Sequence, residues 1–293
     1  MDQVTPVGTG LGRRRQRLSD TETEERMLAA ATAMVGQNGL TVSLEHISFE
    51  DVIRDAGVSR SAVYRRWPYK DLFFSDLLRE LARGSSPAIA GGNSTATAAV
   101  REALLAHLDW LADPSLRLAL VGEVLRESAL REFSTFHESA DWRTYLALHA
   151  TFLSLPDGEL RAEIQTALTD SDRAVMSRIA GAYEQAAELL GLRLRPELSA
   201  TYSALAVLAS AAIRGMVTMA PANPSIPTIR LMANPFGAPE PAYWSQPALA
   251  VAIIVISFLE PDPAIDWTDQ RTAEVRRILE DDSWPADDWP ADD

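Results

Sequence analysis

Apolar positions recur every three or four residues along most of the chain, which is the period of an amphipathic helix. In the first such segment the apolar set includes Met27, Ala31 and Val35. Serine and threonine supply N-caps just before it, and glutamates follow in the first turn, where negative charge stabilises a helix. The pattern predicts a first helix that begins between Ser19 and Thr23 and ends at Gly39.

Three shorter helices are predicted to follow the first. Their expected bounds, set by a serine cap, a glycine stop or a proline break, are Ser48 to Gly57, Ser59 to Pro68 and Lys70 to Gly84. In the second helix, Asp51 stands three residues after the capping serine, which is the spacing of a capping box. In the third, Val63 and Trp67 are the apolar positions of one side. We assign these helices to one domain, residues 19–84.

Helical periodicity continues beyond a linker rich in serine, glycine, proline and alanine. The expected helices are Thr97 to Ala112, Ser115 to Phe133, Asp141 to Leu155, Glu159 to Leu190 with a break, Pro196 to Met219 and Thr268 to Leu279. Residues 220–247 contain seven prolines, and no regular element is expected there. Residues 95–279 are therefore predicted to form a second, larger helical domain.

The segment from Ala248 to Leu259 is apolar on every side, so periodicity alone leaves helix and strand open. Its centre, Val251 to Ile256, is rich in β-branched residues, which favours a strand. The length of twelve residues and the lack of another expected strand favour a helix, and we predict a helix. The expected fold class is all-α: an N-terminal three-helix helix-turn-helix head followed by a larger helical domain.

The net charge of −14, from 41 acidic and 27 basic residues, argues at first against a nucleic-acid partner. Residues 1–85, however, carry 12 residues of each sign, so the acidic excess lies in residues 86–293. Two basic groups in the neutral part contain no acid: the arm Arg13 to Arg17, and a set made of Arg60, Arg65, Arg66 and Lys70. Because charges more than about 8 Å apart are largely screened at physiological ionic strength, such groups can act locally.

Residues 48–67 have the order of a helix-turn-helix motif, in which two short helices flank a tight turn that contains glycine. With 100° per residue, and with Val63 and Trp67 turned inward, one side of the second helix faces outward. The outward residues are Ser61, Ala62, Tyr64 and Arg65. Arg60 and Arg66 lie at the margins, where their long stems can bring the guanidinium group to either side. Small residues among hydrogen-bond donors suit a helix that enters the major groove, although a solvated helical hairpin has a similar pattern.

The segment resembles the tetracycline-repressor (TetR) family of bacterial transcriptional regulators over residues 23–83. The matching stretches are Met27-Leu28-Ala29-Ala30-Ala31 with Gly39, Ser48-Phe49-Glu50-Asp51-Val52, Ala56-Gly57-Val58-Ser59, and Val63-Tyr64-Arg65-Arg66-Trp67-Pro68-Tyr69-Lys70-Asp71-Leu72. The resemblance implies a homodimer that binds a palindromic operator in double-stranded DNA. It also implies that residues 95–279 form an effector-binding and dimerisation domain, and that a small ligand releases the repressor from the operator.

The resemblance also implies particular DNA contacts. The candidate DNA-binding residues are Ser48, Arg60, Ser61, Tyr64, Arg65, Arg66 and Lys70. Tyr64 and Lys70 fall on positions that commonly contact phosphates. Arg60, Ser61 and Arg66 fall on positions that commonly face bases or the DNA backbone.

Two departures from the family pattern leave points open. Ser61-Ala62 stands where the family has a small Gly-Thr pair, so the usual threonine contact is in question. The connection from Gly39 to Ser48 is several residues longer than usual, so the approach of the first helix is also open.

Both termini allow two interpretations. Residues 1–18 form a flexible basic arm, which either reaches a minor groove or the DNA backbone or stays solvated. Residues 280–293 form an acidic tail with Trp-Pro-Ala-Asp-Asp repeated twice. We expect the tail to be disordered and solvated; the alternative is a DNA mimic that folds back on the arm.

Two segments, 198–219 and 248–259, are expected to form the dimer interface. The first presents small residues that permit close helix approach, among them Ala204, Ala212 and Gly215, and the second is apolar on all sides. Such a pair forms either an internal core or a four-helix seam between two copies. The twofold symmetry expected of the head favours the seam.

An aromatic side of one helix is the candidate effector site. The candidate residues are Trp110, Trp142, Tyr145, His149 and Phe152, with Phe133, Phe136, His137 and Tyr183 as possible neighbours. The four between 142 and 152 fall within an arc of about 80°. They form either ordinary core or a pocket for a small hydrophobic or aromatic effector. The stretch 220–247 either covers a pocket or a neighbouring subunit, or is only a long connection.

No catalytic or metal-binding pattern is found in the sequence. The chain has no cysteine, no phosphate-cradling glycine loop and no Gly-x-Ser-x-Gly turn, and its four histidines are dispersed. No apolar run approaches the roughly 20 residues of a membrane span. We therefore expect a cytoplasmic protein that is not an enzyme and has no cofactor, metal or membrane partner. The alternative function is a helix-turn-helix protein without an effector, whose acidic helical body binds other proteins.

Overall fold

The computed structural model describes residues 18–38, 47–84 and 94–281. In these ranges the protein is all-α, with two short antiparallel strand pairs. The first four helices, which we call the head, are α1 (Asp20–Asn38), α2 (Phe49–Ala56), α3 (Arg60–Arg66) and α4 (Lys70–Gly84). The four helices expected in this part of the chain are confirmed.

Side-chain caps explain where the helices of the head begin. Ser19 and Glu22 form a reciprocal capping box, in which each backbone N–H donates to the other side chain, over 2.8 and 3.0 Å. The hydroxyls of Ser48 and Ser59 each accept from the backbone N–H three residues further on, as expected from the sequence. Gly57 has a φ of 65°, a left-handed conformation that ends α2 and begins the tight turn to α3.

The remaining helices form the body. They are α5 (Ser94–Ala106), α6 (Pro114–Glu138), α7 (Ala140–Ser154), α8 (Glu159–Leu189), α9 (Tyr202–Met219), α10 (Ser225–Thr228), α11 (Gln246–Phe258) and α12 (Asp269–Glu280). Short 3₁₀ turns at Leu108–Ala112 and Pro196–Leu198 precede α6 and α9. The break expected in the helix that starts at Glu159 is wrong: α8 is continuous over 31 residues. Gly181 lies inside α8 and does not interrupt it, because glycine, unlike proline, keeps the backbone N–H that donates along the helix.

Four short strands are present in the described ranges. They are β1 (Leu192–Leu194), β2 (Arg230–Ala233), β3 (Ala242–Ser245) and β4 (Leu259–Pro261). The expectation that residues 220–247 hold no regular element is wrong, because β2 and β3 form a hairpin there and α10 precedes it. Three of the seven prolines precede β2, three lie between the strands, and the last lies in the first turn of α11. None of them lies in the hydrogen-bonded ladder of the hairpin, so none removes a backbone N–H that the ladder needs.

A second strand pair joins the end of α8 to the end of α11. Leu194 of β1 lies opposite Leu259 of β4. The assumption that the apolar segment has no strand partner is therefore wrong, and its last residue begins a strand. The helix expected over the rest of Ala248 to Leu259 is confirmed as α11.

Two hydrophobic cores hold the protein together. The larger one lies in the body among α5, α6, α8, α9 and α11. The smaller one surrounds Trp67 and Phe73 in the head, and it includes Leu148 of α7 with Ile164 and Leu168 of α8. The head therefore completes its core with side chains from the body, and its orientation on the body depends on α7 and α8.

One described helix, α9, is long and apolar enough to cross a membrane by length and composition alone. Its inner side, with Leu205, Ala209 and Ile213 buried, packs against α8 and α11. Its other side is exposed, with Val207 and Leu208 about half accessible. The inner contacts are those of a core helix, and the outer side remains open to a partner.

Candidate nucleic-acid interface and body cavity

The third helix turns one side into the head and the other to solvent. Val63 and Trp67 are fully buried. The Trp67 indole N–H donates to the Asp76 carboxylate over 2.8 Å, and its ring packs edge-on against Phe73 with centroids 5.2 Å apart. These contacts fix α3 against α4. The exposed residues of α3 are Arg60, Ser61, Tyr64, Arg65 and Arg66. Ser61, Tyr64 and Arg65 are exposed as the helical wheel predicts, whereas Ala62 is only partly exposed. The role of the exposed residues in DNA binding stays a prediction.

A carboxylate of α2 holds two of these outward side chains. The Arg60 guanidinium lies 2.6 Å from one oxygen of Glu50. The other oxygen of Glu50 accepts a hydrogen bond from the Tyr64 hydroxyl over 3.1 Å. This bond to a carboxylate raises the pKa of Tyr64. Glu50 therefore ties Arg60 and Tyr64 together on the exposed side of α3.

The other two arginines of α3 are paired with α1. Arg65 forms an ion pair with Asp20. Arg66 donates to both oxygens of Glu24, over 3.0 and 3.2 Å, and lies 3.5 Å from Asp76. The bond to Glu24 raises the pKa of Arg66. The guanidinium groups on both margins of α3 are thus held by carboxylates.

The interpretation of these arginines as an acid-free basic group is wrong in three dimensions. The acidic first turns of α1 and α2 lie beside α3, so residues distant in sequence supply the carboxylates. Each of these pairs is partly or largely exposed, and such pairs contribute about 0–1 kcal/mol. The arginines of α3 are therefore neutralised by carboxylates, in ion pairs weak enough to be exchanged readily for other partners.

Two candidate DNA-binding serines and Lys70 complete the predicted set. Ser48 is exposed at the start of α2, where its hydroxyl serves as the cap. The Ser61 hydroxyl lies 3.3 Å from that of Ser59. Lys70 is exposed at the first position of α4, and within the described ranges we find no ion pair for it. The arm with Arg13 to Arg17, the long connection after Gly39 and the repeats of the acidic tail lie outside the described residues.

A series of ion pairs leads from α3 to the body. Asp76, which receives the Trp67 indole N–H and lies near Arg66, also pairs with Arg79 at 2.9 Å. Arg79 in turn pairs with Glu163 of α8. Together with the shared core, this series links the position of α3 to that of α8.

The predicted effector residues lie among core side chains. Trp142 and Tyr145 of α7 are 4% and 3% exposed, and the Trp142 ring lies 3.9 Å from that of Phe136. Phe152 packs against the smaller core, while Trp110 lies in a 3₁₀ turn before α6. A void beside Trp142 measures about 10 Å³, the size of a water molecule at most. This placement is that of ordinary core, and a part for these residues in effector binding stays a prediction.

A polar cluster lies within the apolar body and joins α6, α7, α8 and α9. We define it as Glu132, Tyr145, Asp172 and Arg214. The Tyr145 hydroxyl donates to the Asp172 carboxylate, which pairs with Arg214 at 3.2 Å. Burial raises the pKa of Glu132 to about 7, against the opposing effect of Arg214. His149, whose ring lies 4.5 Å from that of Tyr145, has its pKa lowered by burial.

A cavity of about 250 Å³ lies elsewhere in the body, between α5, α6, α8 and α11. Its walls are aliphatic, as at Val124 and Ala186, except for Ser128 and Tyr183. Of the residues named from the sequence for an effector site, Tyr183 lines this cavity, whereas the five candidate residues and the other possible neighbours do not. Leucine, valine and alanine at helical spacing are typical both of a packed core and of the lining of an apolar cavity. The sequence therefore contains no signal that distinguishes this lining from ordinary core.

No protein-family model and no curated protein sequence matches the chain. Among solved structures, the chain is similar to reduced NemR from E. coli, with 15% identity and a TM-score of 0.43, over 83% of this chain and all of that one. It is also similar to a transcriptional regulator from Rhodococcus sp. RHA1, with 21% identity and a TM-score of 0.31, over 80% of this chain and 95% of the other. At these scores, function has to be inferred from the chain's own residues.

Proposed function

We propose that the protein is a DNA-binding transcriptional regulator, with no catalytic role, that reads an operator with α3. The observation that carries the proposal is the division of α3 into two sides. Val63 and Trp67 anchor the helix in the head, while Ser61 lies outside between larger hydrogen-bond donors. The major groove, about 12 Å wide, admits such a helix, and guanidinium and hydroxyl groups match its base edges and phosphates.

The carboxylates around α3 are compatible with this function. DNA phosphates offer the arginines the same two-point hydrogen bonding as Glu24 does, so phosphates can replace carboxylates at small cost. In the absence of DNA, Glu50 keeps Arg60 and Tyr64 in place. The neutralised charge weakens attraction to DNA of any sequence, which makes binding depend on well-matched contacts.

The proposal includes a homodimer formed through α9 and α11. The exposed sides of these helices carry apolar and small residues at spacings of three and four. They are Ala204, Val207, Leu208, Ala211, Gly215 and Met219 on α9, and Ile253 on α11. A β-carbon added at Gly215 would meet no neighbour within 4 Å, so the space beside this glycine is open to a partner helix. A twofold dimer would place two copies of α3 about 34 to 36 Å apart, one groove repeat of DNA.

The proposal also includes control by a small hydrophobic ligand bound in the body. Glu163, which pairs with Arg79 of the head, and Ala186, which lines the cavity, lie on the same helix, α8. A ligand can shift the heads only if it binds two positions of α8 with different affinity. In this proposal the free protein occupies the operator and ligand binding releases it, so the protein acts as a repressor. The acidic body faces away from DNA.

Ser61→Glu tests the DNA-binding role directly. The variant places a carboxylate at the middle of the outward side of α3 and leaves the buried side unchanged. We expect affinity for duplex DNA to fall by about tenfold or more at physiological ionic strength, because the carboxylate repels phosphates. Fluorescence anisotropy with a labelled duplex pool measures the loss.

Gln165→Glu is the matched control, since it adds the same charge on the exposed side of α8 in the body. We expect it to bind DNA like the parent protein. Equal affinities for the two variants would show that α3 is not the helix that contacts DNA.

A further inference from the structure

The cavity between α5, α6, α8 and α11 has a composition that restricts what can occupy it. Twelve of its fourteen lining residues are leucine, valine or alanine, and none is charged. An ionised ligand would lose its hydration there without gaining a partner, whereas an aliphatic chain is transferred from water at a gain. Tyr183 is the one aromatic residue of the lining, so a flat aromatic ligand has little to stack against.

Two hydroxyls in the lining are free to bind a polar group. In the described part of the chain, neither Ser128 nor Tyr183 has a hydrogen-bond partner. Hydroxyl side chains in a helix often donate to the carbonyl four residues earlier, as Thr135 and Thr151 do here. Ser128 makes no such bond, which leaves its hydroxyl for a group inside the cavity.

The surroundings of these hydroxyls disfavour an acid. Glu132 follows Ser128 by one helical turn on α6. It is also close enough to Tyr183 to act on its hydroxyl electrostatically. Glu132 lines the small void beside Trp142 and not this cavity, but its ionised form would repel a carboxylate ligand bonded to Tyr183.

The volume sets the size of the ligand. An engineered cavity of about 150 Å³ in another protein holds benzene, so a cavity of about 250 Å³ holds about ten non-hydrogen atoms by proportion. A chain of eight or nine carbons with one oxygen has this size. Aliphatic chains also adapt their shape to walls of valine and leucine better than rigid rings do.

We propose that the cavity binds an uncharged aliphatic molecule of about ten non-hydrogen atoms whose single oxygen function, an alcohol, aldehyde or ketone, bonds to Ser128 or Tyr183. The role of this molecule as an effector rests on the function proposed above. Its binding to the cavity does not depend on that function and can be measured without DNA.

The test compares 1-octanol with octanoate, octylammonium and 1-naphthol, by isothermal titration calorimetry on the full chain. We expect 1-octanol to bind saturably, one molecule per chain, and to raise Tm, because a ligand specific for the folded state stabilises it. The two ions are expected to bind at least tenfold more weakly, since each would be buried without a partner. Equal or tighter binding of either ion or of naphthol overturns the assigned ligand class, and absence of octanol binding overturns the site.

Variants locate the binding. Ala186→Phe fills the cavity and is expected to abolish octanol binding, while Ala174→Phe, on the exposed side of the same helix, is expected to bind like the parent. Ser128→Ala removes one hydroxyl without adding volume and is expected to weaken octanol about two- to tenfold, and Ser134→Ala on the same helix serves as its control. If Ala186→Phe fails to fold, Ser128→Ala and Tyr183→Phe, which removes the other hydroxyl, decide together. Unchanged affinity in every folded variant overturns the site.

The outcomes separate this inference from the proposed function. If octanol binds but leaves DNA affinity unchanged, the cavity assignment stands and ligand control of the regulator is wrong. If octanol does not bind while Ser61→Glu still loses DNA binding, the regulator stands and the cavity assignment is wrong.

Discussion

Glu50 is the residue on which the arrangement of the proposed DNA-reading surface depends most. It bonds to Arg60 and Tyr64 through its two carboxylate oxygens. Glu50→Gln keeps the shape and removes the charge, which frees Arg60 and adds one positive charge to the head. We expect tighter binding to random DNA, a salt dependence steeper by up to about one phosphate contact per head, and a smaller preference for the operator. Anisotropy titrations over a series of salt concentrations measure all three quantities.

Glu280→Gln changes the charge equally at an exposed position of α12, far along the chain from the head. It should leave the salt dependence and the sequence preference as they are in the parent. If Glu50→Gln also leaves them unchanged, Glu50 has no part in positioning the side chains of α3.

Glu132 predicts a pH dependence of stability. Its pKa is about 7 in the folded protein and 4.5 as the ordinary value, so the folded chain keeps a proton that the unfolded chain releases between these values. The contribution of Glu132 to the free energy of unfolding should therefore fall as pH rises from about 4.5 to 7 and change little above that range. Glu132→Gln cannot release a proton, so its free energy of unfolding relative to the parent should rise by about 3 kcal/mol between pH 4.5 and pH 8.

Urea unfolding at a series of pH values measures this difference. Glu138→Gln, which changes an exposed carboxyl on the same helix, is the control and should follow the parent. A constant difference between Glu132→Gln and the parent across the range would contradict a raised pKa for Glu132.

At the residue scale, the sequence predicts which way a side chain points from its helix, but not which side chain of another helix it pairs with. The helical period predicts that Val63 and Trp67 turn inward and Tyr64 outward, because direction depends only on position within one helix. It misses Glu50 and Asp20 as partners of the arginines, since these acids come from other helices and only the turn geometry brings them to α3. A linear count of charge therefore overstated how positive the surface is.

At the scale of elements, the outer side of α9 makes a clear prediction. Val207 is 51% exposed near the middle of the apolar stripe proposed as the dimer seam. Val207→Glu would bury an unpaired charge in each of two facing copies, which costs several kcal/mol in a closed interface. We expect a dimeric parent and a monomeric variant by sedimentation equilibrium. A parent of single-chain mass, or a variant as dimeric as the parent, would rule out this seam; Gln165→Glu, on α8, should remain dimeric.

Local signals predict most helices of this chain and non-local pairing explains the errors. Caps such as Ser59 and stops such as Gly57 act within a few residues, so the sequence shows them directly. The β2–β3 hairpin depends on pairing between segments about ten residues apart, and the prolines around it exclude only ladder positions. The cavity was missed because its lining and the core are built from the same residue types at the same spacing.

At the scale of the whole molecule, head and body are not independent units. Leu148, Ile164 and Leu168 of the body complete the core of the head, and Arg79 pairs with Glu163 across the same boundary. A fragment that ends with α4 would expose these contacts. The proposed coupling between the body and DNA is therefore to be tested on the full chain.

The net charge of −14 gains a different meaning once the helices are placed. The excess lies in residues 86–293, and within the head the arginines of α3 are balanced by neighbouring acids. Both features reduce attraction to DNA of arbitrary sequence. For a regulator, this favours binding only where base and phosphate contacts match.

Selection of bound sequences from a random duplex pool tests the central claim, that a twofold dimer reads DNA with α3. The account predicts enrichment of an inverted repeat with half-site centres about 10 to 10.5 base pairs apart, or a multiple of that spacing. It also predicts that Ser61→Glu selects no such repeat. Enrichment of no sequence by the parent protein, or of the same repeat by Ser61→Glu, would contradict the account.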